Sequence, residues 1–62
     1  MNIRKGDLVR DKTFPHLVGR VVSFRFSPRD GYASHDVMVK LYRDCVMSFD
    51  PSWLRVIRRA SK

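Results

Sequence analysis

Met47 to Ile57 reads MSFDPSWLRVI. Two short apolar runs are separated only by Asp50-Pro51-Ser52, too short a gap for a helix of any length. The stretch therefore reads as strand, one helical turn, strand. Asp50 suits the cap of such a turn, where its carboxylate accepts from the amides that follow, and Pro51 suits the first helical position, where a missing N–H costs nothing. Trp53 and Leu54 are then expected to drop onto the open end of a small barrel, so the stretch reads first as scaffold. If the Trp53 ring lies outward instead, it offers a platform on which a base could stack.

Working outward, Gly6-Asp7 punctuates the chain before LVRDK (Leu8 to Lys12), a short candidate strand, and Pro15 in the following TFPH interrupts pairing and marks a loop. LVGRVVSFRF (Leu17 to Phe26) is rich in β-branched and aromatic residues and reads as the long strand, with Gly19 as a bend or bulge. Phe24 and Phe26 share a parity with Val22 and are expected in the core. SPRDGYASH (Ser27 to His35) collects Pro28, Asp30 and Gly31 and reads as a loop. DVMVKLYR (Asp36 to Arg43) alternates, with Val37, Val39 and Leu41 on one face and Met38, Lys40 and Tyr42 on the other. Asp44 turns the chain into CVMSF, and WLRVI is the fifth strand. No segment keeps a 3.6-residue period. The expected fold is all-β: a five-stranded SH3-like barrel with one helical turn before the last strand, a single domain over residues 1–62 with a basic C-terminal tail from about residue 58.

A 62-residue chain buries a smaller share of its surface than a larger domain and has a thin margin of stability. Its lone Cys45 rules out an internal disulfide and reads as a small buried hydrophobe. With only His16 and His35 beside it, neither a Cys-rich metal site nor any cofactor is expected. Nothing covalent staples the fold, and a homo-oligomer is one way to add stability. No apolar run approaches membrane-spanning length, so no membrane association is expected and the default compartment is the cytoplasm.

Charge is the strongest compositional signal. Thirteen Lys and Arg stand against six Asp and no Glu, a net charge of +7. Nine of the thirteen are Arg, whose planar guanidinium matches phosphates and base edges better than an ammonium does. Such a balance points to a polyanionic partner, because each cation placed near a phosphate releases condensed counterions. The expected function is a small nucleic-acid-binding module, for DNA or RNA, that contacts the phosphate backbone with little sequence specificity. Arg20, Arg25, Arg29, Lys40, Tyr42 and Arg43 gather on the second and third strands and their connection, and Arg55, Arg58 and Arg59 with Lys62 add a basic run. Phe24, Phe26 and Tyr32 are further candidates for stacking on bases, the two phenylalanines being read first as core. The alternative is a protein-interaction module in which an exposed edge strand, or the face carrying Met38 and Tyr42, pairs with a host protein; by analogy, a free-standing basic barrel suits a phage or plasmid accessory protein that inhibits a host machine. No nucleophile–histidine motif, paired-carboxylate motif or phosphate-binding loop points to an enzyme.

The pattern GDLVR, Lys12, GRVV, GYA, Leu54 and Ile57 resembles the plasmid-encoded type II dihydrofolate reductases from Gly6 to Ile57, and in part KOW and Tudor-like modules. The resemblance implies an SH3-like barrel. It does not carry over the reaction. Where that family lines a tetrameric active-site pore with Val-Gln-Ile-Tyr, this chain has Val46-Met47-Ser48-Phe49, and Asp11 stands where the family has a lysine that attracts anionic ligands. A type II reductase-like activity is therefore only the remote alternative.

Overall fold

The computed structural model describes residues 3–29 and 32–60, and of residues 27–29 and 32–34 the backbone alone. Five strands, β1 (Leu8–Asp11), β2 (Val18–Arg29), β3 (Tyr32–Lys40), β4 (Val46–Phe49) and β5 (Leu54–Arg58), form one antiparallel sheet in the order β4-β3-β2-β1-β5. Single 3-10 turns at Tyr42–Asp44 and Pro51–Trp53 precede β4 and β5. This is the expected all-β, SH3-like architecture. One core takes Val9, Val21, Val37, Val39, Phe49 and Leu54 from all five strands, so the sheet must curl around them. No helix among the described residues is long and apolar enough to cross a membrane.

The turn before β5 forms as its sequence directs. The Asp50 carboxylate Oδ1 accepts from the Ser52 amide at 2.9 Å and from the Ser52 hydroxyl at 2.7 Å, and Pro51 occupies the first position of the turn. Leu54 is then buried, but Trp53 remains half exposed and does not plug the barrel, because the short turn leaves its side chain at the rim.

The long hairpin differs from expectation. Ser27–Arg29 and Tyr32–His35, expected as parts of a nine-residue loop, are paired strand, with Arg29 opposite Tyr32; the expected turn formers Asp30 and Gly31 lie outside the described residues. Asp36 is a buried strand residue opposite Arg25. At the other end β3 stops at Lys40, and Tyr42 and Arg43 belong to the 3-10 turn, where Arg43 and Asp44 take the left-handed backbone conformation.

The β2 bulge falls between Val21 and Ser23, not at Gly19. Gly19 answers a different need, close approach. A Cβ there would strike the Lys40 carbonyl and come within 2.7 Å of Val39 Cγ1. The bulge also shifts parity: Val21 lies opposite Val39 and Phe24 opposite Val37, whereas Val22 drops out of register. Phe24 and Phe26 thus share the core-facing side, yet they sit beyond the core on the projecting ribbon and are 37% and 57% exposed rather than buried. His35 packs edge-on against Phe26. Cys45 is exposed, since it falls on the turn before β4 rather than within a strand.

Asp7 ties the two ends of the described chain together. It is 1% exposed, and its carboxylate accepts from the amides of Arg4 at 3.0 Å and Ala60 at 2.8 Å and from the Arg59 guanidinium at 3.2 Å. The Ala60 amide does most to hold its carboxyl below the ordinary value of 3.8; burial opposes this, and the Arg4 amide and the Arg59 charge reinforce it. The expected basic tail therefore begins as the end of β5 and continues as a fastened segment through Ala60.

Candidate nucleic-acid interface

Directly opposed residues in neighbouring antiparallel strands point to the same face of a sheet, so the register decides which cations meet. Val9, Val21 and Val39 point to the core. Residues of the other parity point away from it. One outward row runs Lys40, Arg20, Leu8, Arg58 across β3, β2, β1 and β5. The next row along β1 runs Val18, Arg10, Arg55. With strands about 4.8 Å apart, the first row spans roughly 14 Å and the second lies about 7 Å from it. Arg10, Arg20, Arg55 and Arg58 thus share one face of β5-β1-β2, and no acidic residue is their cross-strand neighbour.

The expected cluster is only partly assembled. Arg20, Arg55, Arg58 and Lys40 come together. The Arg20 guanidinium donates to the Gly6 carbonyl at 2.8 Å, and Lys40 forms an exposed ion pair with Asp44 at 3.3 Å. Arg25 points to the same side but lies further along the ribbon, opposite Asp36. Arg43 is held away from the strands by the turn, its guanidinium 5.4 Å from the centre of the exposed Tyr42 ring. Arg59 is engaged with Asp7. The side chains of Arg29 and Tyr32, and all of Lys62, lie outside the described residues. The centre of positive charge thus moves from β2-β3 to β5-β1-β2. Arg10 is the residue that sequence reasoning passed over. Its signal was present: in LVRD the buried Val9 and Asp11 alternate with the partly exposed Leu8 and Arg10, and a two-residue period puts Arg10 on the outer face.

A second feature lies where β1 meets β4 and the turn before β5. Asp11, Thr13, Phe14, Leu17, Met47, Ser48, Phe49 and Trp53 line a largely apolar groove of about 330 Å³. Phe14 and Trp53 are 54% and 52% exposed. The β1–β2 loop that forms one wall is pinned by Asp11, whose Oδ1 accepts from the amides of Thr13 and Phe14, each at 2.8 Å. The Lys12 amide donates to the Trp53 carbonyl at 2.8 Å, which fixes the two walls to each other. Among the described residues no three His, Cys, Asp or Glu side chains gather as a metal site. No family model, curated protein or solved structure matches the chain.

Proposed function

We propose that the protein is a nucleic-acid-binding module that contacts the phosphate backbone through the outer face of β5-β1-β2. The observation that carries this reading is the cross-strand register, which sets Arg10, Arg20, Arg55 and Arg58 side by side without an opposing carboxylate. A surface of net charge +7 could be merely solubilising, but solvation alone does not require four guanidinium groups to converge on one curved face. The face is built of strand and offers no helix to enter the major groove, so it supplies positioning contacts rather than base readout.

About four neutralised phosphates correspond to a log–log salt slope of about −3.6 on duplex DNA and about −2.8 on a single strand. Arg10→Ala and Arg55→Ala are each expected to reduce the slope by about one unit and to weaken binding equally for every sequence tested, with Arg43→Ala having the smaller effect. No retardation of any single- or double-stranded DNA or RNA at low salt would remove this reading.

The protein-interaction alternative has an observation of its own. β4 is an edge strand of the sheet, with Val46 and Met47 exposed on it. Pairing of that edge with a partner strand would depend little on salt, and the same titration separates the two.

A further inference from the structure

We infer that the groove between Phe14 and Trp53 receives an unstacked base, so that the protein binds single-stranded nucleic acid in preference to duplex. The inference rests on the proposed phosphate-binding face and adds to it the part of the ligand that the face does not touch.

The groove has the shape and chemistry of a base slot. Two half-exposed aromatic side chains, Phe14 and Trp53, stand among its lining together with Met47, Leu17 and Phe49. Exposed aromatic groups gathered in one apolar groove mark a ligand-binding surface. The one ionisable group in the lining is Asp11, a residue only 6% exposed. Both of its hydrogen bonds fall on Oδ1. Among the described residues no fully buried side-chain oxygen lacks a partner, so Oδ2 keeps some exposure, and Asp11 is among the residues that line the groove. In a chain this basic, a lone carboxylate within an apolar slot repels phosphate and accepts hydrogen bonds from amino groups. That favours a base, with its exocyclic amine, over the backbone that carries it.

The slot and the basic face meet at the end of β1. Asp11 and Leu54 are buried on the core side while Arg10 and Arg55, one row earlier, point to the outer face, and exposed Lys12 follows Asp11 where the two sides join, its amide bonded to the Trp53 carbonyl. A strand whose phosphates lie along Arg55, Arg10 and Lys12 reaches that end of β1 and turns one base around it into the groove. A duplex, with its bases stacked and paired, can use the phosphate contacts alone.

Trp53 is the chain's one tryptophan, so its fluorescence reports on the groove directly. The experiment titrates the protein with oligo-dC, oligo-dA, oligo-dT and a generic duplex, following both Trp53 emission and the anisotropy of a labelled oligonucleotide. The expected result is quenching by the single strands with little change on duplex, and tighter binding of oligo-dC and oligo-dA than of oligo-dT, which has no exocyclic amine. Phe14→Ala keeps the reporter and is expected to weaken single-strand binding at least about fivefold, the lower end of what one stacked base contributes, while duplex affinity stays unchanged. Trp53→Phe is expected to retain most of the single-strand preference and Trp53→Ala to lose it, with circular dichroism confirming that each variant is folded. Equal binding of single strand and duplex without quenching would overturn the base slot and leave the phosphate-binding face standing. Single-strand preference that survives both Phe14→Ala and Trp53→Ala would assign the groove to another occupant, such as a peptide, and equally overturn it. Absence of all binding at low salt would sink both readings together.

Discussion

Replacing Asp7 tests how the domain is held shut. Alanine there leaves the Arg4 and Ala60 amides without their acceptor and removes the Asp7 carboxylate from the Arg59 guanidinium. An unsatisfied buried donor costs about 1 to 3 kcal/mol. Arg4 and Ala60 are themselves exposed residues, so water can reach their amides once the carboxylate is gone, and the lower end applies. Arg59 is 58% exposed, which limits its ion pair to about 1 kcal/mol at most. The sum is roughly 2 to 3 kcal/mol, against a total stability of about 3 to 9 kcal/mol for a domain of this length. Asp7→Asn keeps one acceptor oxygen and should lose about half as much. Acid should reproduce the loss. The folded carboxyl is held below its ordinary value of 3.8, so its contribution is complete above that pH and disappears as the pH falls through the lower folded value. Urea denaturation followed by circular dichroism from pH 7 down to pH 2 should show the gap between the native protein and Asp7→Asn narrowing only at the acid end. An unchanged midpoint for Asp7→Ala at pH 7, or a gap that widens on acidification, would refute the reasoning.

Gly19→Ala should destabilise the protein by about 2 to 3 kcal/mol or prevent folding, because the new methyl group meets the Lys40 backbone rather than a side chain that can move; a native-like melting curve would show that β2 and β3 can separate there. Purified protein should show no dihydrofolate-dependent oxidation of a nicotinamide cofactor, since the Asp11 carboxylate shares a groove with Met47, Ser48 and Phe49 and would repel anionic ligands; turnover that persists after removal of host reductase would count against this.

Local chemistry was read correctly at the turn before β5 and along β3, but not at Ser27–Arg29, where Pro28 sits in paired strand. Asp50-Pro51-Ser52 carries its own cap, and the alternation of Val37, Val39 and Leu41 needs only a two-residue period to place the core face of β3. Errors arose where one residue depends on a distant one. The bulge after Val21 is set by pairing with β3, and it moved Phe24 and Phe26 onto a ribbon that outruns its core. Trp53 needed knowledge of the wall facing it, built from Phe14 and Leu17 some forty residues earlier. The cation cluster was misplaced for the same reason. Arg10 and Arg55 are far apart in sequence, and only the β1–β5 register makes them neighbours, whereas Arg25 and Arg43, grouped by their place in the chain, are separated by the length of the ribbon and a turn.

The pairing of β1 with β5 also dictates an order of assembly. The β2–β3 ribbon closes from Arg29 and Tyr32 outward, so its contacts begin between residues almost adjacent in the chain and can form within microseconds. The β1–β5 ladder and the Asp7 fastening close a loop of some fifty residues, at an entropic cost of about 3.5 kcal/mol before any of their bonds repay it. The ribbon should therefore be the template and β5 the last strand to dock. In the native state the same hierarchy runs in reverse. β5 should be the first strand to lift, its amides exchanging with solvent ahead of those of β2 and β3, and each opening bares the edge of β1. Two molecules open at once can trade their fifth strands, so the contact that completes the monomer is also the one through which a concentrated solution would form strand-swapped dimers.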